Sequence, residues 1–220
     1  MKYATLCFLF LVSGLSGCWL FDDCNTPGTV DFLIPATLTP AQDTFRIGDT
    51  IHIVSSFSDA VFETETKRHY LLKDWCFIPI TSVIRIDTNP ALSYDGLLDF
   101  RVLLNPEHNY GSVRFSGITN LFGEYSYHDQ RYHLDFALIP QKAGLYMFSH
   151  GSGLDYRIDR QNFPGKCRGT LSFVHTQLNN GADNNIHLLA QSPDPRFKEM
   201  LSSPEKRFQR SGGYCFVVVE

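Results

Sequence analysis

From Thr29 onward, apolar residues recur at every second position, and that period constrains the fold more than any other feature. Val30, Phe32, Ile34 and Ala36 alternate with Thr29, Asp31, Leu33 and Pro35, which puts one set of side chains on one face of a strand. Pro35 lacks a donor N–H, so this first strand is expected at a sheet edge. Gly48-Asp49 marks a turn into a strand over Ile51–Phe57. Asp59–Lys73 reads as one irregular strand plus a loop. Ile78–Ile86 is rich in β-branched residues and ends at Asp87-Thr88-Asn89-Pro90, while Leu97–Leu104 stops at Asn105-Pro106. Ser112–Ile118, Tyr132–Ile139, Gly169–Leu178 and Tyr214–Val219 complete the set of strands.

The tail breaks the two-residue period. Asn184–Ala190 reads as a short helix. Asp194-Pro195 is an N-cap followed by proline at the first helical position, with Phe197, Met200 and Leu201 on one face. Ser203-Pro204 repeats the start signal, and Gly212-Gly213 ends the segment before a strongly apolar closing strand, of the kind found inside a sheet. The expected fold is mainly β, a sandwich with a short helical segment before the C-terminal strand.

The N-terminus is of another kind. Met1-Lys2 gives a basic start, and the apolar run Ala4–Leu15 is 12 residues long, short of the roughly 20 a membrane helix needs but matched to a secretory signal. Leu15-Ser16-Gly17-Cys18 resembles the lipobox of bacterial lipoproteins. That resemblance implies cleavage before Cys18, a diacylglyceryl group on its thiol and acylation of the new amino terminus, with palmitate as a usable label. An ordinary signal peptide followed by an incidental cysteine is the alternative. One acyl chain binds a bilayer only marginally, so the two or three implied here make attachment effectively permanent. Trp19 rather than Asp after Cys18 implies the outer membrane. Asp22-Asp23 resembles the acidic tag of surface-exposed lipoproteins or is a solvated tether, which leaves the periplasmic or cell-surface side open. Residues 1–17 are then the signal, 18–28 the lipidated tether and 29–220 the β domain.

A second resemblance lies in the body. The strand Tyr132–Ile139 runs into Pro140, a turn at Lys142-Ala143-Gly144 and the strand Leu145-Tyr146-Met147-Phe148. This order is similar to the E-to-F corner of immunoglobulin-like sandwiches, where a tyrosine hydroxyl bonds back to the preceding turn. By that comparison Tyr146 is the corner tyrosine; a plain β-hairpin is the alternative.

Composition narrows the function classes. With 43% hydrophobic and 14% aromatic residues the chain can bury a full core. Its net charge of −4 becomes −5 once Lys2 leaves with the signal, which argues against nucleic acid. After Cys7 and Cys18, the cysteines left are Cys24, Cys76, Cys167 and Cys215. In an oxidising compartment they read as two disulfides, with Cys76–Cys167 and Cys24–Cys215 preferred among three connectivities. None has the Cys-x-x-Cys spacing of a structural zinc site.

No catalytic motif emerges. Ser149-His150-Gly151-Ser152-Gly153 lacks nucleophile-elbow spacing and reads as a glycine-rich loop after a strand. His128 and His133 flank a turn with no third metal ligand assigned by spacing, and Asn179–Asn185 reads as a turn rather than a Ca²⁺ loop. No metal or cofactor is expected. The candidate contact surface is Tyr125, Tyr127, His128, Arg131 and Tyr132, because Tyr and Arg supply rigid contact area and tyrosine faces stack on sugars. The expected role is a non-enzymatic binding, adhesion or assembly module for a glycan or protein at the outer membrane, anchored in the membrane by its lipid. A hydrolase acting on surface glycans or peptides is the alternative.

Overall fold

The computed structural model describes residues 29–91, 94–154 and 171–220. Its strands are β1 (Thr29–Thr39), β2 (Thr44–Arg46), β3 (Ile51–Ser58), β4 (Ala60–Glu63), β5 (Arg68–Leu71), β6 (Phe77–Arg85), β7 (Phe100–Leu104), β8 (Tyr110–Phe115), β9 (Ile118–Gly123), β10 (Ser126–His128), β11 (Arg131–Pro140), β12 (Gly144–Leu154), β13 (Leu171–Leu178) and β14 (Gly213–Val219). Among the described residues one α-helix, α1 (Pro195–Met200), lies before β14, between a 3₁₀ turn at Ile186–Gln191 and a π turn at Glu205–Gln209. Among the described residues no helix is long and apolar enough to cross a membrane.

Pairing sorts the main strands into two sets. β1, β3, β11 and β7 follow one another as antiparallel neighbours. In the other set β8, β9, β6, β12 and β14 are successive antiparallel neighbours, and β2 runs parallel to β14. Taken in chain order, β1, β3, β6, β7, β11, β12 and β14 reproduce the A-B-E-D and C-F-G groupings of an immunoglobulin-like sandwich. The β8–β9 hairpin extends the C edge but follows the D-like strand in sequence, so it is an addition. β13 pairs with both β1 and β12 and joins the two sets along one side.

The two-residue period explains the core. In β1, Val30, Phe32, Ile34, Ala36 and Leu38 are all buried and the intervening residues are not. β1 is nevertheless interior rather than an edge strand. Pro35 is tolerated because it falls between the residues paired to β4 (Phe32, Leu33) and those paired to β3 (Thr37–Thr39), a gap in these two ladders. The E-to-F corner forms as expected. β11 and β12 belong to opposite sets, and Tyr146 Oη donates to the Lys142 carbonyl (3.1 Å) and to buried Asp99 Oδ2 (2.9 Å).

Local signals in the tail also hold. Asp194 caps α1, accepting from Arg196 N at 3.1 Å, and its other oxygen accepts from Ala91 N at 3.0 Å. Phe197 and Phe208 are buried with Leu188 and Leu189 against Leu145, Met147, Ile86 and Cys215, whereas Leu201 is exposed. The helical segment thus covers part of the outer face of β6, β12 and β14. β14 is flanked by β12 and β2, an interior position as its apolarity implied.

Three readings change. Asp59–Lys73 holds a hairpin, β4–β5, rather than one strand. Ser112–Ile118 is split by a turn at Ser116-Gly117, both at positive φ, into β8 and β9. Ser149–Gly153 is strand, not loop, and pairs with β6 from Ser82 to Ile78. Glycines at alternate positions there face outward and His150 faces inward, so the residues that suggested a loop serve one side of a sheet.

Candidate functional site

Among the described residues, nothing covers the outer face of the β8–β9–β6–β12 sheet where the helical segment stops. Ile84 on β6 and Ile86 just after it lie beneath that segment, but two residues back from Ile84 on the same face Ser82 meets Ser149 of β12 (Oγ–Oγ 2.7 Å), and then Ile80 emerges 43% exposed. Ile80 pairs with Phe122 (44% exposed), and β8 adds Val113 (51%) and Phe115 (77%) on the same side. Opposite Ile80, Ile78 and Phe122 stand Gly151, Gly153 and Gly111. A Cβ at any of these glycines would meet nothing within 4 Å. The result is an apolar strip with an open glycine floor beside it.

Behind this face, on the interior side, a polar chain crosses the sandwich. Tyr110 Oη donates to Thr81 Oγ1 (2.6 Å), which lies 2.6 Å from His150 Nδ1; His150 Nε2 lies 3.2 Å from Tyr125 Oη. Tyr125 Oη donates to Ser55 Oγ (3.1 Å), and Ser55 Oγ donates to the Pro35 carbonyl (2.7 Å). The carbonyl only accepts, so it fixes every proton in the chain. Ser55 must accept from Tyr125, and Tyr125 from His150 Nε2–H. His150 Nδ1 is therefore the acceptor for Thr81. Every group is satisfied by a neutral imidazole, and burial holds His150 down to about 4. Among these residues sequence reasoning flagged only Tyr125, as a surface contact, and noted His150 only as part of a loop.

The candidate contact residues divide. Tyr132 is buried, stacked on Phe57 (5.1 Å) and edge-on to Phe77 (4.8 Å), and its Oη donates to the Leu72 carbonyl. Tyr125 is buried in the same aromatic cluster. Tyr132 is turned inward by the alternation of β11, and Tyr125 enters the core from the link between β9 and β10, so neither offers its ring at the surface. Tyr127 is half-buried and donates to Asp59 (2.8 Å), leaving His128 and Arg131 exposed beside the Asp129-Gln130 turn.

His133 does find companions, though not His128, which pairs with Arg131. His133 Nε2 lies 3.1 Å, and His108 Nε2 2.7 Å, from the same Oδ1 of Asp135. The ligand-capable atoms of the three residues all lie within 4.8 Å of one another. Asp135 is two residues from His133 on the same face of β11, and His108 arrives from the Asn105–His108 turn between β7 and β8. That turn is closed by Asn105, whose Oδ1 accepts from Glu107 N and whose Nδ2 donates to Asp135. Burial works against the Asp135 carboxylate, but hydrogen bonds from His108 and Asn105 outweigh it and hold it below its usual range.

Elsewhere, Asp31, His175, Glu205 and Arg210 line a cleft between β1, β13 and the π turn. Its charges pair with one another, Arg210 with Glu205 at 3.1 Å and His175 with Asp31 at 3.8 Å. Cys18, Cys24 and Cys167 lie outside the described residues. Cys76 is half-buried just before β6; Cys215 is fully buried in β14 as a free thiol, so the expected Cys24–Cys215 bond is not formed.

No protein-family model and no curated protein matches the chain. Among solved structures, a match is the second type II cohesin module from the cellulosomal adaptor ScaA scaffoldin of Acetivibrio cellulolyticus. It is 8% identical, with 65% of this chain and 92% of that one covered, at a TM-score of 0.27. At that score the likeness carries no weight for fold or role.

Proposed function

We propose that this chain is a lipid-anchored, non-enzymatic binding module that holds a protein partner at the outer membrane against the open β8–β9–β6–β12 face. The observation that carries this reading is the contrast along one sheet face. Where the helical segment lies, the apolar side chains are buried by the chain itself; beyond Ser82 they continue as Ile80, Val113, Phe115 and Phe122, all exposed and with none of the described residues over them. Covering such a strip with apolar protein surface yields roughly 25 cal/mol per Å² removed from water. The strip has few groups to hydrogen-bond a sugar, which favours a protein over a glycan. The anchor rests on Leu15-Ser16-Gly17-Cys18.

Two experiments separate the parts. A photo-crosslinking phenylalanine analogue at Phe115 should give, in cells, a discrete protein adduct that is lost when Val113 and Phe122 are changed to Lys. Adducts only to lipid, or none, overturn the protein-binding reading. Cys18→Ser should release the chain from the membrane fraction and end palmitate incorporation; a variant still in the membrane and still labelled overturns the anchor.

A further inference from the structure

The His108–His133–Asp135 cluster contains a lone-pair conflict that a cation resolves. Ser126 Oγ has one hydrogen, and it is donated to the His133 carbonyl at 2.9 Å. Toward His108 Nδ1, 3.2 Å away, the same oxygen can then only accept. His108 therefore carries its hydrogen on Nδ1. In the neutral ring the Nε2 lone pair points at a carboxylate oxygen 2.7 Å away. Two acceptors do not approach that closely unless a positive charge lies between them, either a second ring proton or a metal ion. His133 Nε2 converges on the same oxygen at 3.1 Å.

The surroundings are those of a metal site. A ligating histidine characteristically donates its other ring N–H to a fixed acceptor, and a ligating carboxylate is itself hydrogen-bonded. Here Ser126 takes the His108 Nδ1 hydrogen and Asn105 Nδ2 donates to Asp135 at 3.0 Å. Two imidazoles and one carboxylate suit borderline divalent ions of the first transition row, and three protein ligands leave a fourth position open. Zinc–ligand distances near 2.0–2.1 Å place tetrahedral ligand atoms about 3.3 Å apart, so the 2.7 and 3.1 Å histidine–carboxylate separations need to open by about 0.6 and 0.2 Å, while the two imidazole nitrogens start within 4.8 Å of each other. His108 is buried and rigidly held, while the His133 side chain is 45% exposed and free to adjust, which puts the open position on its side.

We propose that His108 Nε2, His133 Nε2 and Asp135 bind one divalent first-row metal ion, with Zn²⁺ as the reference ion, leaving a position for water or an anionic oxygen ligand. The site is independent of the apolar face, on the other sheet, and stands or falls without it. It escaped the sequence because Asp135 is 27 residues from His108, and no local spacing connects them.

The test is calorimetric titration of the metal-stripped full chain with ZnCl₂, and visible spectroscopy with CoCl₂ in its place. One equivalent should bind with a dissociation constant of about 1 μM or tighter, and Co²⁺ should show tetrahedral bands without thiolate charge transfer. His133→Ala and Asp135→Asn should each weaken binding by at least about 100-fold, and Ser126→Ala by about 10–100-fold. His187→Ala, at an exposed histidine elsewhere, should change nothing. Because His133 is half-exposed, its alanine variant is expected to keep the wild-type melting temperature, so lost binding would not reflect unfolding. Absence of zinc binding in the wild type, unchanged affinity in His133→Ala, or a thiolate band with Co²⁺ would each overturn the assignment.

Discussion

Lowering the pH from 7 to 4 should destabilise this protein through His150. The ring is completely enclosed, and its neutral form satisfies every hydrogen bond from Tyr110 to the Pro35 carbonyl. A proton on Nδ1 would point at Thr81 Oγ1 and deprive the Thr81 hydroxyl of its acceptor. Burial puts the folded pKa at about 4 against an ordinary 6.5. Between those values the unfolded chain binds a proton that the folded chain refuses, so stability falls as pH falls, by about 1.4 kcal/mol per unit. Above pH 6.5 the group contributes no pH dependence, and by pH 4 the cumulative loss is about 3 kcal/mol, a large part of a typical domain's stability. Urea unfolding of the wild type and of His150→Gln across pH 7 to 4 isolates this contribution, since Gln can donate and accept but does not titrate. The difference between the two curves should be flat above pH 6.5 and then grow to about 3 kcal/mol at pH 4. Parallel curves would refute both the burial argument and the tautomer assigned to the ring.

Other consequences can be checked by routine means. Tyr146→Phe removes the donor to Asp99 and the Lys142 carbonyl and should cost about 1–3 kcal/mol in calorimetric unfolding; no loss would make the corner ornamental. Gly212→Ala places a Cβ 2.4 Å from the His150 carbonyl oxygen at a φ of +61°, so it should destabilise by more than about 1 kcal/mol, with a wild-type melting temperature as the contrary result. The Cys215 thiol, buried and with its pKa pushed up by that burial, should resist iodoacetamide until the protein unfolds. Mass mapping that finds Cys215 alkylated under native conditions would contradict its enclosure. Deleting the last eight residues removes β14 from between β12 and β2 and should abolish cooperative folding, as followed by near-ultraviolet circular dichroism.

What could be read from the sequence was what is encoded locally. The alternation of β1, the cap at Asp194 and the tyrosine at 146 each depend on residues a few positions apart, and each formed as expected. Pro35 misled because edge position is a property of neighbours, and β1 changes partners at that residue. Ser149–Gly153 looked like a loop because glycine is a poor strand former; nine paired positions with β6 override that preference, and the glycines stand on the side where no side chain is needed. The turn between His128 and His133 was legible and forms at Asp129-Gln130, but which rings of its hairpin go inward depends on register, which sets Tyr132 inward and His133 outward. His108 and Asp135 were invisible for a different reason, since only the β7–β8 connection brings them together.

The double membership of β1 bears on how the protein would respond to tension. A pull arriving from the amino-terminal side reaches the sandwich at Thr29 and runs along the strand axis. Ladder bonds in antiparallel pairs lie perpendicular to that axis, so the bonds to β4 and then β3 are sheared together rather than peeled off singly. Arranged this way, the first strand is a splice across two ladders, and under such a pull it should yield all at once rather than residue by residue.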